Sequence, residues 1–388
     1  MRSGIKTALH IADPLPDVRA KSYGQFSPAP GVTADRVSYG TGYGLRVPAI
    51  VYHAAGATIV KHPALVIVNG HSGDKSSWYA YWAGILYSRA GAVVLTYDPI
   101  GEYERNSDRK SGTRQHDTEL APPASQSSEQ DMGRRLGGLM VTDVMQAVSY
   151  LADRPDVDPK RIAVLGYSMG SFVSSVACAV DTRIHACVLA GGGDLDGAGG
   201  YWDSSTKMCQ AIPYQSLAFL GERGPALYAL SAKRGPTLVI NGSNDGVVDI
   251  PHHGADWFEQ LRKQTVAELG SSKDVFDLVF VPGGGHAPYF LTKTAALWLQ
   301  DKLKFPEWTK KQIEAVPEMQ IREWATKNKL DAVSLRQPKN EGNLMALGND
   351  IPLVSFEQLQ AVPDTLWQSQ KEEYVYESWV ERAQAASQ

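Results

Sequence analysis

What most limits the folds open to this chain is a regular alternation of short β-branched runs with longer segments of helical period. ALVIVN over 64–69 is followed by SSWYAYWAGILYSRA, AVVLTYD by MGRRLGGLMVTDVMQAVSYLAD, and RIAVLGY by SFVSSVACAV. IHACVLAG, TLVINGS, the ADWFEQLRKQ region, DVFDLVFVPG and PYFLTKTAALWLQDKL continue the series. A strand, helix, strand repeat needs crossover connections, which are right-handed and put helices on both faces of a mainly parallel sheet. The pattern predicts a doubly wound α/β catalytic domain over 35–305. Two earlier extended segments, DRVSYG and LRVPAIVYH, predict an antiparallel hairpin on the sheet edge.

Residues 1–34 read as an N-terminal arm. Two stretches interrupt the alternation, 101–131 and 194–235, and the first is far longer than an ordinary connection of about 2–6 residues. Long connections at one end of a parallel sheet build lids and substrate walls. Their aromatic residues Tyr103, Tyr201 and Trp202 are pocket candidates that could stack on a sugar or aromatic ring, or could simply pack the lid. Over 306–388 the patches EWTKKQIEAVPEMQIREWATK and TLWQSQKEEYVYESWVERAQAA predict a helical extension. It either packs on the main domain or serves as an oligomerisation arm.

Charge and composition remove whole classes of function. Lys plus Arg number 38 and Asp plus Glu 42, so the formal charge is 38 − 42 = −4. With no sustained basic block, the footprint that would hold a phosphate backbone is missing, which argues against nucleic acid as a partner. No apolar run approaches the roughly 18 residues that cross a bilayer, and MRSGIKTALHIADP lacks the apolar stretch of a secretion signal. The chain therefore reads as soluble, with no membrane partner, and cytoplasmic as given; secretion stays open if a signal has been removed. Three cysteines, Cys178, Cys187 and Cys209, form no even framework and no Cys-x-x-Cys clip, so they read as buried thiols.

The chemistry begins at Gly166, Tyr167, Ser168, Met169 and Gly170, which spell G-x-S-x-G. The pentapeptide joins the strand RIAVLGY to the helix SFVSSVACAV, the elbow that exposes a serine at the carboxyl end of a sheet. An elbow serine needs a base. His286, in VPGGGHAPYF after the final predicted strand, can fold back over the sheet on its three glycines, whereas His252 and His253 after Pro251 read as solvent-facing. The base needs an acid on its other nitrogen. Asp245 in TLVINGSNDGVVD supplies one in the chain order Ser, Asp, His, although N-D-G is also a turn signal. Asp194, one strand earlier, is the alternative acid. Two backbone N–H groups are expected to face an oxyanion, those of Met169 and of His71 in the loop after ALVIVN.

Together GYSMGS, NGSNDGVVD, GGGHA and NGHSGDKSSW resemble an α/β-hydrolase, and look most like the branch containing dienelactone hydrolases and acetyl xylan esterase-like deacetylases. The likeness covers roughly 35–305. Members of that branch commonly carry His-Gly at the oxyanion turn, where this chain has Asn69 and Gly70. They also tend to have Asp-x-x-Gly-x-Gly after the following strand, where YDPIGEYER puts Tyr103 at the second glycine. Asp98, Gly101 and Arg105 there read as a loop-bracing set with an internal ion pair. The resemblance implies a serine esterase that cleaves a small-molecule ester, such as an acetylated sugar, through an acyl-enzyme, with no cofactor and no metal. Two other readings remain. A peptidase of the prolyl oligopeptidase type normally has a β-propeller ahead of its catalytic domain, and about 60 residues precede the first crossover strand here. A binding or assembly module would be favoured by loss of a triad member, and none is lost.

Overall fold

The computed structural model describes residues 1–56, 60–120, 127–197, 199–200, 202, 210–270, 274–330 and 343–387. Nine strands form one sheet: β1 (Lys21–Ala29), β2 (Val32–Gly40), β3 (Arg46–Ala54), β4 (His62–Val68), β5 (Val93–Tyr97), β6 (Val157–Tyr167), β7 (Ala186–Ala190), β8 (Thr237–Gly242) and β9 (Asp277–Val281). Their order is β1-β2-β3-β5-β4-β6-β7-β8-β9. The first four in that order pair antiparallel, and from β5 to β9 every neighbour is parallel. β4, β5, β7 and β8 are buried at every residue, as expected where helices cover both faces of a parallel sheet.

Alternate residues of the strands feed two cores. Val66, Val164 and Leu189 pack against the helices Ser127–Ala152, Met169–Val180 and Arg223–Arg234. Leu65, Leu165 and Ile240 pack against Trp78–Arg89 and Lys293–Leu303 on the other face. The predicted α/β architecture is therefore present, with three changes of detail. The hairpin is β2 with β3, but it is not the edge: β1 lies outside it, so part of the expected N-terminal arm is a strand. The stretch 194–235 is not all insertion, because Arg223–Arg234 is the crossover helix between β7 and β8.

The third change concerns 306–388. Instead of long helices, this segment holds short ones, Lys310–Ala315, Ile321–Lys327, Asp364–Ser369 and Tyr376–Ala385, with an antiparallel pair β10 (Glu318–Gln320) and β11 (Met345–Leu347). Pro317 ends the first helical patch, because the residue before a proline is pushed out of the helical region. The segment wraps the outer face of Trp78–Arg89. Trp82 Nε1 donates to the Leu347 carbonyl at 2.7 Å, and Trp324 meets the Trp82 ring edge-on at 5.2 Å. This covering explains a helix buried at every position from Trp78 to Ser88. Cys178 and Cys187 are buried free thiols, and Cys209 lies outside the described residues. No helix among the described residues is long and apolar enough to cross a membrane.

Candidate active site

The carboxyl ends of the parallel strands bring the sequence-selected residues to one rim. Ser168 sits between β6 and the helix Met169–Val180 at φ 56° and ψ −122°, a conformation a non-glycine residue adopts only when its surroundings impose it. They do so through close approach: a Cβ at Gly166 would collide with the Gly170 carbonyl, and one at Gly170 with the Val68 carbonyl of β4. The Ser168 N–H donates to the Ala190 carbonyl at 2.9 Å, tying the elbow to β7. Ser168 itself remains partly exposed while Met169 beside it is buried.

His286 follows β9 on the glycine loop. The Gly284 carbonyl accepts from Asn244 N at 2.8 Å, and the Tyr289 hydroxyl donates to the Gly285 carbonyl at 2.6 Å, which holds this loop on the end of β8. The imidazole lies against the Tyr167 ring, with centroids 5.0 Å apart, and beside Gly191 after β7, where a Cβ would stand 2.9 Å from its Cε1. His286 Nδ1 is 2.8 Å from Asp245 Oδ2, and both side chains are fully buried. The opposite nitrogen, Nε2, is buried without a hydrogen-bond partner. Asp245 Oδ1 accepts from Val247 N at 3.0 Å and Val248 N at 3.4 Å. The carboxylate is thus oriented by its own turn while its second oxygen meets the imidazole.

Asp194 takes a different place. It makes no ion pair with His286; both its oxygens are buried and unpaired, with His253 Nδ1 3.8 Å away. Burial first, and then the charge of Asp245, push its carboxyl up to about 8. His253 is turned inward rather than to solvent, stacked on Trp257 at 4.4 Å, whereas His252 is exposed.

The loop after β4 closes the other side of the elbow. A Cβ at Gly70 would lie 3.2 Å from Ser168 Cβ, and Gly70 N donates to the Tyr79 hydroxyl at 3.1 Å. The backbone of His71 follows directly. Met169 N is the first donor of its helix, in the set of N–H groups that lack an intrahelical acceptor. Tyr79 was no sequence candidate; within WYAYW it reads only as a helix residue.

Of the pocket candidates, Tyr201 lies outside the described residues. Trp202 is buried, stacked on Phe172 at 5.3 Å and donating through Nε1 to the Asp194 carbonyl at 3.1 Å, so it forms packed wall behind the elbow helix. Tyr103 is buried, as in the packing alternative. Its ring lies against Phe356 at 3.9 Å and its hydroxyl donates to the Phe356 carbonyl at 2.8 Å. The expected brace exists with other partners: Asp98 pairs with Lys75, which also meets Glu104 at 2.6 Å, while Arg105 pairs with Asp143. A cavity of about 1270 Å³ is lined by His62, Ala92 and Asp156 at the opposite, amino ends of β4, β5 and β6, far from this chemistry.

Comparison with known proteins agrees with this architecture. The Prolyl oligopeptidase family matches residues 124–313, just under half of the chain. Thiohydrolase apmlB of Arthrinium phaeospermum is 29% identical over 155 residues, 40% of this chain and 42% of that protein. The chain thus spans less than half the length of that relative. An acetyl xylan esterase from Paenibacillus sp. R4 superposes with a TM-score of 0.55 at 14% identity, over 78% of this chain and 93% of that one. Methylesterase BT1017 has a TM-score of 0.52 at 18% identity, over 96% of this chain and 73% of that one. At such identities the likeness establishes the fold, which is that of the α/β-hydrolases.

Proposed function

We propose that this α/β-hydrolase chain is a serine esterase, with Ser168 as nucleophile, His286 as general base and Asp245 as the acid that orients it. The observation that carries the reading is the buried His286–Asp245 contact of 2.8 Å, which leaves Nε2 of the same ring without a partner on the rim that bears the Ser168 elbow. In the first half-reaction His286 Nε2 takes the Ser168 hydroxyl proton as Oγ bonds to the ester carbonyl carbon. The oxyanion that forms receives N–H donation from Met169 and His71. Collapse breaks the carbon–oxygen bond to the leaving alkoxide, which takes the proton from His286. Water then repeats the sequence on the acyl-enzyme and releases the acid.

A small acyl group on a sugar or other alcohol is the substrate class we propose, on the analogy of the acetyl xylan esterase fold. The match to a peptidase family makes peptide hydrolysis the second reading to test. A fluorophosphonate should label Ser168, and Ser168→Ala should lower ester turnover at least about 10⁴-fold with the fold unchanged. A panel of acetylated sugars, aryl esters and peptides then separates the two activities. Full turnover by the alanine variant would sink the mechanism, and faster cleavage of peptides than of esters would replace the substrate class.

A further inference from the structure

One cluster of side chains, which includes the imidazole of His71 but none of the triad, joins two parts of the chain that the sheet does not connect. His71 stands on the loop after β4; His116 and Asp117 stand midway along the polar stretch after β5, where the helix Asp117–Leu120 begins. His71 Nε2 lies 2.5 Å from Asp117 Oδ1, and His116 Nε2 lies 3.6 Å from the same oxygen. One donor atom from each of the three residues falls within 4.8 Å of the others. The two imidazole centroids are 5.3 Å apart. His116 is fully buried, and neither ring nitrogen makes a hydrogen bond of ordinary geometry, the Ile100 backbone offering only a weak one. Leaving such a group poorly paired costs up to about 1–3 kcal/mol, so something is expected to satisfy it.

We propose that His71, His116 and Asp117 bind a divalent transition-metal ion of the zinc type, which clips the 101–131 stretch to the oxyanion loop. Two imidazoles and a carboxylate are a favoured donor set for zinc, and ligand bonds of about 2.0–2.2 Å in a tetrahedron set donors about 3.3–3.6 Å apart. The His116–Asp117 separation already fits, while the His71–Asp117 pair must open by about 1 Å as the ion replaces the proton between them. Three protein donors leave a fourth position for water. The site needs no participation in ester cleavage, and it is not announced by motif spacing, because residue 71 is distant in sequence from 116 and 117. Arg114, whose charge reaches both His116 and Asp117, is bonded through Nε to Ser72 Oγ at 2.6 Å, beside His71.

The test uses the untagged full chain stripped with chelator and titrated with Co²⁺ and then Zn²⁺ salts. One Co²⁺ per chain should bind with the intense visible absorption of a four-coordinate ion, zinc should displace it, and the melting temperature should rise with free metal. His116→Gln should weaken zinc binding at least about tenfold in calorimetry. Since His116 is buried, Asp117→Asn at the half-exposed ligand provides a second variant free of core disturbance, with the same expected loss. Absence of saturable binding, or equal affinity in wild type and Asp117→Asn, would overturn the proposal. Ser168 labelling by fluorophosphonate reports on the esterase reading separately.

Discussion

Two carboxylates crowd the rim near His286, and their surroundings differ. Asp245 accepts from two backbone N–H groups through Oδ1 and meets the imidazole Nδ1 through Oδ2. Asp194 has no partner on either oxygen, and burial, then Asp245, hold it up at about 8, so at neutral pH it keeps its proton. In the proposed triad the imidazolium is therefore left to Asp245, which touches His286 Nδ1. Asp245→Asn should lower kcat by up to about 10⁴-fold, as loss of the acid does in serine proteases, while Asp194→Asn should cost far less. Steady-state kinetics at matched folding checks the order, and the reverse order would move the acid one strand earlier. Asp194 also predicts a pH trend. Its unfolded pKa is near the ordinary 3.8, so as pH rises from 4 toward 8 the unfolded chain gives up a proton that the native state retains. Native stability therefore falls across that window and levels above it. Asp194→Asn should flatten the fall in melting temperature between pH 5 and 8; an unchanged slope would show that the burden lies elsewhere. The N-D-G segment reads both as a turn and as an acid, and its contacts suit each reading: Asp245 Oδ1 accepts within the turn and Oδ2 lies 2.8 Å from His286 Nδ1.

At the level of elements, what the sequence made legible is what is local. The elbow, the glycine loop and the crossover pattern each depend on neighbours within a few residues, so they could be read from spacing. The stretch after β5 could not, because its partners are remote. Glu104 is the clearest case: its two carboxylate oxygens accept from Ala361 N at 2.7 Å and Val362 N at 2.8 Å while one of them also meets Lys75. Trp367 Nε1 donates to the Glu104 carbonyl at 2.9 Å. Nothing near YDPIGEYER announces a partner about 250 residues away, so the local spacing offers an ion pair within Asp98, Gly101 and Arg105, whereas Lys75 is the cation on Asp98 and Arg105 meets Asp143. Burial alone would push Lys75 down, but Asp98 and Glu104 outweigh it and hold the ammonium charged. Glu104→Gln keeps the shape, removes the charge and leaves one backbone N–H facing a donor. It should destabilise by about 3–5 kcal/mol, the range for breaking a buried ion pair from one side. Differential scanning fluorimetry checks this, and a melting temperature within a degree of wild type would mean that the 306–388 segment is held by its apolar contacts alone.

On the scale of the whole molecule, Ser127–Ala152, Met169–Val180 and Arg223–Arg234 cover one face of the sheet and Trp78–Arg89 and Lys293–Leu303 the other, and the 306–388 segment adds to both, with Tyr376, Trp379 and Ala383 on the first and Ile313, Trp324 and Leu347 on the second. The helix Trp78–Arg89 is buried from Trp78 to Ser88 on its outer side as well as its sheet side, which requires another layer over it. The covering residues, Trp324, Ile313, Ala346 and Leu347, are themselves buried, and Trp324 Nε1 finds the Ile351 carbonyl at 2.9 Å. A large apolar face is therefore exposed if the segment is removed, and Ala361 and Val362 no longer satisfy Glu104. Ending the chain after Phe305 should give a protein that aggregates, seen by sedimentation as a broad fast-moving distribution, because contiguous exposed patches of this kind drive association. The single substitution Trp324→Ala should cost about 3–5 kcal/mol by opening a cavity against Trp78, Trp82 and Tyr81. Ser168, Asp245 and His286 all precede the cut, so any fraction of the truncate that stays soluble and folded should still be labelled at Ser168 by a fluorophosphonate. A truncate that is as stable as the full chain would refute the covering role. One that folds and stays soluble but cannot be labelled would instead place part of the reactive site in the last 83 residues, since 388 − 305 = 83.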